Sequence, residues 1–371
     1  MNVRNARLDV AVNLLWLAPG RVGGSEEYLV RQLVGLPTDV GIEPVLYVQR
    51  DFAGTHAELA SRMRTEVIPF QRDWRGARLV AEHTWLAART RTADVVHHGG
   101  GTMPVLGHRP ALVTVHDLQY LRFPEYFSRA RRAYLHAMMA RSIKRAAVVA
   151  TPSEFVRSTV IDAFGADSTN VVVVPHGIPN IDPPDPEFQA TLLQRYGLAD
   201  RPYVVYPAIT HPHKRHMVLV EMLRFVAPEL MLVLLGGVGP AETALRTAIE
   251  GSGMTDRVVR PGRVPGADRD ALIAGAQALV FPSEYEGFGA PLIEAMAAGT
   301  PVVCSDHVAV REVVGDAAIV VGGGAAEWAQ AVNDAHLRRS ELVAAGHRRR
   351  QAFTLQASGR ALATAYRLAA S

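Results

Sequence analysis

Short apolar runs alternate with segments of helical period along the whole chain. Leu8–Leu17, Pro44–Val48, Val95–His97, Ala111–Val115, Ala147–Thr151 and Val171–Val174 are dense in β-favouring residues and predict strands. Between them, Glu26–Gly35, Ala77–Arg89, Arg129–Arg145 and Glu154–Phe164 repeat apolar residues every three or four positions and predict helices. Apolar strands alternating with helices predict a parallel sheet covered on both faces. The pattern stops at Pro175–Pro186, where PHGIPNIDPPDP can continue neither element and reads as a linker. It then restarts: Tyr203–Tyr206, Leu230–Leu235, Arg257–Arg260, Ala278–Phe281, Pro301–Val303 and Ala317–Val321 predict strands, and Leu355–Ala370 a closing helix. The expectation is an α/β chain of two doubly wound domains, residues 1–180 and 181–352, with the helix in 353–371 packing back on the first. Open sheets of this kind bind ligands beyond the carboxyl ends of their strands.

Composition narrows the function. At 371 residues the chain exceeds one ordinary core, which agrees with two domains. A formal net charge of +3 is too small for a nucleic-acid binder. The one cysteine, Cys304, permits neither a disulfide within the chain nor a cysteine-based zinc cluster, so a reducing cytoplasm fits best. The apolar run Val10–Pro19 is too short to span a bilayer and reads as a buried strand. Only two lysines occur, Lys144 and Lys214.

The chemistry concentrates in FPSEYEGFGAPLIEAMAAGTPVV, Phe281–Val303. A strand ends near Phe281, and a loop carrying Gly287 and Gly289 follows. Pro291 suits the first position of a helix, where its missing N–H costs nothing. Glycines let backbone approach a ligand, and exposed amides at a helix start favour an anion such as a diphosphate. Glu286 and Glu294 flank that site and suit hydrogen bonds from sugar hydroxyls. A plain strand–loop–helix connection with surface glutamates is the alternative for the glycines taken alone.

The full string resembles the donor-site signature of glycosyltransferase family 4, whose two glutamates have the separation of Glu286 and Glu294. The likeness extends through YPAITHPHKRHMVLVE (206–221), LVLLGGVGP (232–240), DRVVRPGRVPGADRDALIAGAQALVFPS (256–283) and CSDHVAVREVVGDAAIVV (304–321). In the first half it covers GRVGGSEEYL (20–29), TVHDLQYLRFPEYFS (114–128), TPSEFVRSTVIDAFG (151–165) and VVVVPHGI (171–178). It implies the GT-B fold, two Rossmann-like doubly wound parallel-sheet domains facing across a cleft. It implies a retaining hexosyltransferase, mannose-like by preference, that uses a nucleotide-diphosphate sugar as substrate. GDP-sugars are favoured, with UDP- and dTDP-sugars open, and no cofactor or metal is implied. The acceptor would be a glycan, a lipid-linked glycan or a small molecule.

Site roles follow by resemblance. Lys214 would neutralise the donor diphosphate, Glu286 would hold sugar hydroxyls near the reacting centre, and Glu294 the ribose. Gly287, Phe288 and Gly289, with Arg263 and Val264, would touch the donor. Gly23 and Gly24 would form the first domain's loop near the reacting sugar, although a glycine turn capped by Ser25 explains them as well. His116 would contact the sugar or acceptor from a strand end. Family members commonly place an arginine shortly before the lysine; Ile209 and its neighbours stand there instead, leaving His211, His213 and Arg215 to share the phosphate.

Three signals are discounted. Asp268–Asp270 mimics a metal-binding triplet but precedes a helix and reads as its N-cap. His97 and His98 are adjacent on an extended segment, so their side chains diverge and zinc binding is not expected. The basic segment Ser128–Ala146 reads as a packed helix with a solvated arginine face. Its sharper reading is a peripheral contact with anionic lipid at the inner face of a membrane. Two other classes stay in view. One is a nucleotide-sugar-binding protein with little or no transferase activity. The other is a dinucleotide oxidoreductase, which lacks the required Gly-x-Gly-x-x-Gly after the first strand.

Overall fold

The computed structural model describes residues 7–17, 23–69, 75–107 and 110–371. Gly20–Val22 of the first glycine motif and Ala18–Pro19 of the first apolar run lie outside these residues. The chain forms two compact units, Met1–Gly177 with Thr354–Ser371, and Ile178–Phe353.

The first unit is built on seven parallel strands: β1 (Leu8–Asn13), β2 (Ile42–Val48), β3 (Arg64–Val67), β4 (Val95–His98), β5 (Ala111–Thr114), β6 (Val148–Thr151) and β7 (Val171–Val173). Their order is β3-β2-β1-β4-β5-β6-β7. The central strands are buried on both faces, which explains their unbroken apolar sequence. Alternation divides the core: Val10 and Val12 pack with Leu29, Leu33 and Tyr366 on one side, Ala11 with Leu86 and Val96 on the other. β3 was not expected. It is a short edge strand, RTEV, with no fully buried residue, so it carries no apolar signal.

The second unit has six parallel strands: β8 (Tyr203–Pro207), β9 (Met231–Leu235), β10 (Val258–Gly262), β11 (Ala278–Phe281), β12 (Val302–Ser305) and β13 (Ile319–Val321). They are ordered β10-β9-β8-β11-β12-β13. Strand order reverses between β8 and β11, the topological switch point at which open α/β sheets open a crevice.

Helices Arg129–Arg145 and Glu154–Phe164 start and stop where the pattern predicts, each with a serine side chain, Ser128 or Ser153, capping its start. Three details differ from expectation. The helix predicted over Ala77–Arg89 carries a π turn at Glu82–Leu86. The helix Gly24–Val34 has Gly23, not Ser25, at its N-cap. The helix Gly266–Ala274 is preceded by Pro265, so Asp268 lies inside its first turn rather than capping it, 3.5 Å from Arg195. The closing helix, Leu355–Ala370, belongs to the first unit, against Gly24–Val34 and β6.

Candidate active site

The two strands flanking the switch point of the second unit launch the two motif segments. β8 runs into Ala208–His211 and a tight turn at Pro212–Lys214; β11 runs into the glycine loop that carries Glu286. The loop residues therefore converge. Lys214 Nζ donates to Glu286 Oε1 at 2.6 Å, with side-chain exposures of 17% and 12%, low enough that solvent screens the pair poorly.

Three ties fix this approach. Tyr206, wholly buried, donates its hydroxyl hydrogen to the Lys214 carbonyl at 3.1 Å and lies 2.8 Å from Ser283 Oγ, whose hydrogen it can accept. The Glu284 amide donates to the His213 carbonyl at 2.8 Å, stitching one loop to the other. Ser305 Oγ donates to the Ser283 carbonyl at 2.5 Å. Arg215 takes up the strain: at φ 50° it is the one non-glycine residue with positive φ among the described residues. An L-residue in that conformation costs about 1–2 kcal/mol.

The glycines after β9 have a packing reason. A Cβ on Gly236 would lie 2.4 Å from the Ala208 carbonyl oxygen, and one on Gly239 would lie 2.3 Å from that of Thr210. Thr210 Oγ1 accepts from the Gly239 amide at 2.7 Å and donates to Glu242 at 3.0 Å, and Arg260 grips Glu242 at 2.6 and 2.7 Å. The Arg260 guanidinium holds the Glu242 carboxyl below its usual range.

Gly289 precedes the helix Ala290–Ala297, which has Pro291 in its first turn. Glu294 on that helix is only 3% exposed, and its carboxylate lies 3.9 Å from Arg269. Phe288 is buried edge-on to Phe353. Arg263 and Val264 follow β10 directly. The second unit thus gathers Lys214, Glu286 and Ser283 at the switch point. Burial, then the Lys214 charge, lowers the His213 pKa to about 3 and pushes His211 down as well. Ile209, in the stretch where family members commonly carry an arginine, is 45% exposed.

Gly23, Gly24 and His116 lie in the first unit. His116 follows β5; its Nε2 donates to the Gly99 carbonyl at 2.7 Å, so the neutral ring presents Nδ1 as an acceptor. It packs against Trp16 and Tyr28, and burial lowers its pKa. His97 and His98 are both buried with separate partners, Tyr366 and Thr114 for the first and Asn13 for the second. Among the described residues no group of three His, Cys, Asp or Glu is placed to hold a metal ion. Cys304 is buried, its thiol pushed up to about 12, and so is no nucleophile at neutral pH.

Sequence reasoning did not single out Tyr206, Ser283, Thr210 or Glu242. Their partnerships span up to 77 residues, and no local pattern announces them.

Comparison with known proteins agrees with this architecture. Residues 22–180 match the family model Glycosyltransferase Family 4, and residues 189–351 match Glycosyl transferases group 1. O-antigen chain mannosyltransferase B of Escherichia coli is 32% identical over 234 residues, 61% of each chain. The GDP-mannose-dependent alpha-(1-6)-phosphatidylinositol monomannoside mannosyltransferase of Mycolicibacterium smegmatis is 31% identical over 183 residues, 46% of this chain and 47% of its own. The chain thus spans about three fifths or less of these two curated relatives' length. The crystal structure of Anabaena HepE in complex with UDP and glucose superposes with a TM-score of 0.76 at 21% identity, over 96% of this chain and 99% of that one. The two Rossmann-like units therefore have the GT-B fold.

Proposed function

Since the chain belongs to the group 1 glycosyltransferases of family 4 type, we propose that it moves a hexose, mannose-like by preference, from a nucleotide-diphosphate sugar to an acceptor hydroxyl with retention. The observation that carries this reading is the Lys214–Glu286 pair at the switch point, beside the glycine loop and helix start at Gly289. The loop amides and Lys214 suit a diphosphate, and Glu286 and Glu294 suit hydroxyls of sugar and ribose. A GDP-sugar is favoured because the M. smegmatis relative is named GDP-mannose-dependent; the UDP bound to HepE keeps UDP-sugars in play, and dTDP-sugars stay open.

In this reading the second unit binds the donor through Lys214, Arg263, Val264, Glu286 to Gly289 and Glu294. The first unit contributes Gly23 and Gly24, which meet the donor's reacting sugar, and His116, which meets the sugar or acceptor. The anomeric C–O bond to the diphosphate breaks while Lys214 and the amides stabilise the charge that develops on the leaving oxygen. The acceptor oxygen attacks the same face, and its proton passes to the departing phosphate. His116 Nδ1 orients a hydroxyl. The acceptor, a glycan, lipid-linked glycan or small molecule, is not specified by these residues.

A peripheral membrane contact belongs to the same proposal. No described helix is long and apolar enough to cross a membrane. The first turns of the helix Arg129–Arg145 do not pack as an ordinary core helix: Arg129, Arg131, Arg132 and Tyr134 are all exposed, and burial begins only near Met139. Co-sedimentation with phosphatidylglycerol vesicles that weakens as salt rises is the expected result; equal recovery with neutral vesicles removes the contact.

The main test is a thermal-shift screen with GDP, UDP, dTDP and ADP, followed by turnover of the stabilising nucleotide's sugar with mannoside acceptors and NMR of the product linkage. An inverted linkage rejects retention. Selective binding without turnover favours a nucleotide-sugar-binding protein instead, and no stabilisation by any nucleotide rejects the donor reading.

A further inference from the structure

The donor reading asks the basic turn to meet an anion, and the nearby cations with known partners are committed. Lys214 is on Glu286 at 2.6 Å, Arg215 on Glu284 at 3.4 Å, Arg260 on Glu242 at 2.6 Å, and Arg269 on Asp270 at 3.1 Å. Lys214, Arg215 and Arg269 are each balanced by a carboxylate, and of these groups the Glu242 cluster alone keeps a net positive charge, because the exposed Arg246 also lies 3.7 Å from Glu242. Groups able to gain charge at the turn are imidazoles.

Two of them are joined. His211 Nδ1 and His213 Nδ1 lie 2.7 Å apart, with ring centroids at 4.5 Å. A contact that short between ring nitrogens needs a hydrogen on one and a lone pair on the other. If the donor ring takes a proton at its far nitrogen, this hydrogen bond survives and becomes charge-assisted. The pair can therefore accept one proton without breaking its own geometry. Its position is fixed, because the His213 carbonyl holds the Glu284 amide two residues before Glu286.

The charged and titratable groups facing the pair are Lys214 and His216, with Glu286 on Lys214 and the Arg215–Glu284 pair beside them. His216 in turn feels Arg260 and Glu242 and lies against Tyr206. With no ligand, burial and the Lys214 charge both keep the pair neutral. A diphosphate reverses the Coulomb term, since an opposite charge within about 4–6 Å favours the charged form.

We propose that the His211–His213 pair takes up a proton from solvent when a nucleotide-diphosphate sugar binds, and so supplies a second positive charge beside Lys214. This rests on the donor reading above. It makes donor binding proton-linked: affinity rises as pH falls through neutrality, while Lys214 stays charged throughout.

Calorimetry on the full chain tests it, with GDP-mannose and UDP-glucose as probes. Their diphosphates are diesters and do not titrate near neutrality, unlike a terminal phosphate with its second pKa of about 6. Titrations in buffers of different ionisation enthalpy report the protons exchanged. Uptake should grow from near zero at pH 8.5 towards about one proton per nucleotide at pH 6, with affinity rising by up to tenfold per pH unit. His211→Asn keeps a hydrogen-bonding group that cannot become cationic, and should abolish the uptake and flatten the pH dependence. His213→Asn should do the same, and if that buried substitution unfolds the chain, the unsubstituted protein and His211→Asn still decide. Binding without proton uptake, or uptake that survives His211→Asn, overturns the proposal and leaves the donor reading standing. Failure of both nucleotide sugars to bind removes the donor reading, and this inference with it.

Discussion

A lysine and a glutamate held 2.6 Å apart with little solvent access form a contact that, on the proposed function, an incoming donor reuses. Removing one partner leaves the other's charge poorly solvated. Glu286→Gln keeps the shape and leaves Lys214 facing a neutral amide, whereas Lys214→Ala removes the cation. On the proposed function, Lys214→Ala should lower donor turnover by roughly 10²–10³-fold, the scale of losing one stabilising donor at a developing oxyanion. Steady-state kinetics with a circular-dichroism check of folding measures this, and turnover within twofold of the original chain would remove Lys214 from the chemistry. At this scale the motif singled out Lys214, Glu286 and Glu294, and the structure brings the first two into contact while Glu294 lies buried near Arg269. The sequence was silent on the left-handed backbone of Arg215, which ends the turn by donating its amide to the Pro212 carbonyl at 3.0 Å and which no residue type in the motif announces. It was equally silent on the His211–His213 contact, which needs a turn to bring two rings together.

Among the elements, the basic turn is the informative one. It begins at Pro212, ends at the strained Arg215, and is tied from behind by Tyr206 and from the side by Glu284. Arg215→Gly relieves a conformation that costs about 1–2 kcal/mol and loses only a half-exposed pair with Glu284, worth about 0–1 kcal/mol. Stability should therefore hold or rise. If the strain serves to aim Lys214, turnover should fall at the same time. Tyr206→Phe keeps the ring packing but leaves the Lys214 carbonyl without this donor; it should cost about 1–3 kcal/mol and lower kcat more than it raises KM. Melting curves and kinetics on both variants separate aiming from simple support: parallel changes in stability and activity would mean support. Strands were legible where β-favouring residues cluster, whether or not the strand is wholly buried. All six strands of the second unit are announced by short runs of β-favouring residues, and three of them (β9, β11 and β12) are wholly buried, whereas β3 has an edge position and a polar sequence and was missed. The π turn at Glu82–Leu86 is too short for a change of period to stand out from a run of apolar positions.

Over the whole molecule, each unit depends on buried groups whose state is set by distant parts of the chain. The closing helix Leu355–Ala370 completes the first unit through an approach that only glycine permits. A Cβ on Gly359 would lie 2.0 Å from the Gly35 carbonyl oxygen, and one on Gly35 would lie 1.9 Å from that of Leu355. Gly359→Ala should destabilise the first unit by about 1–3 kcal/mol, the ordinary cost of overpacking, and an unchanged melting temperature would show that the two helices can separate freely. Beneath this contact, His97 sits between the Tyr366 hydroxyl and Thr114 Oγ1, each at 2.8 Å. Burial lowers its pKa from an ordinary 6.5 to about 3, and that of His98 to about 4. In the second unit His213 is lowered to about 3 and His216 to about 4. The sign is the same for all four. Below pH 6.5 the unfolded chain binds protons that the folded chain refuses, so stability is complete above that pH and falls as pH drops towards 4. Each fully buried histidine removes about 1.4 kcal/mol per pH unit in that window, so His97 and His98 together should steepen the decline. Melting temperature without ligand should be flat above pH 7 and drop steadily from pH 6.5 to 4.5; a flat profile to pH 5 would contradict the buried neutral imidazoles. Donor affinity is expected to move the other way, because a bound diphosphate turns the protonation of His211 and His213 from a penalty into an attraction. Stabilisation by GDP-mannose, measured as the shift from the ligand-free melting temperature at each pH, should therefore grow over the interval in which the empty protein weakens.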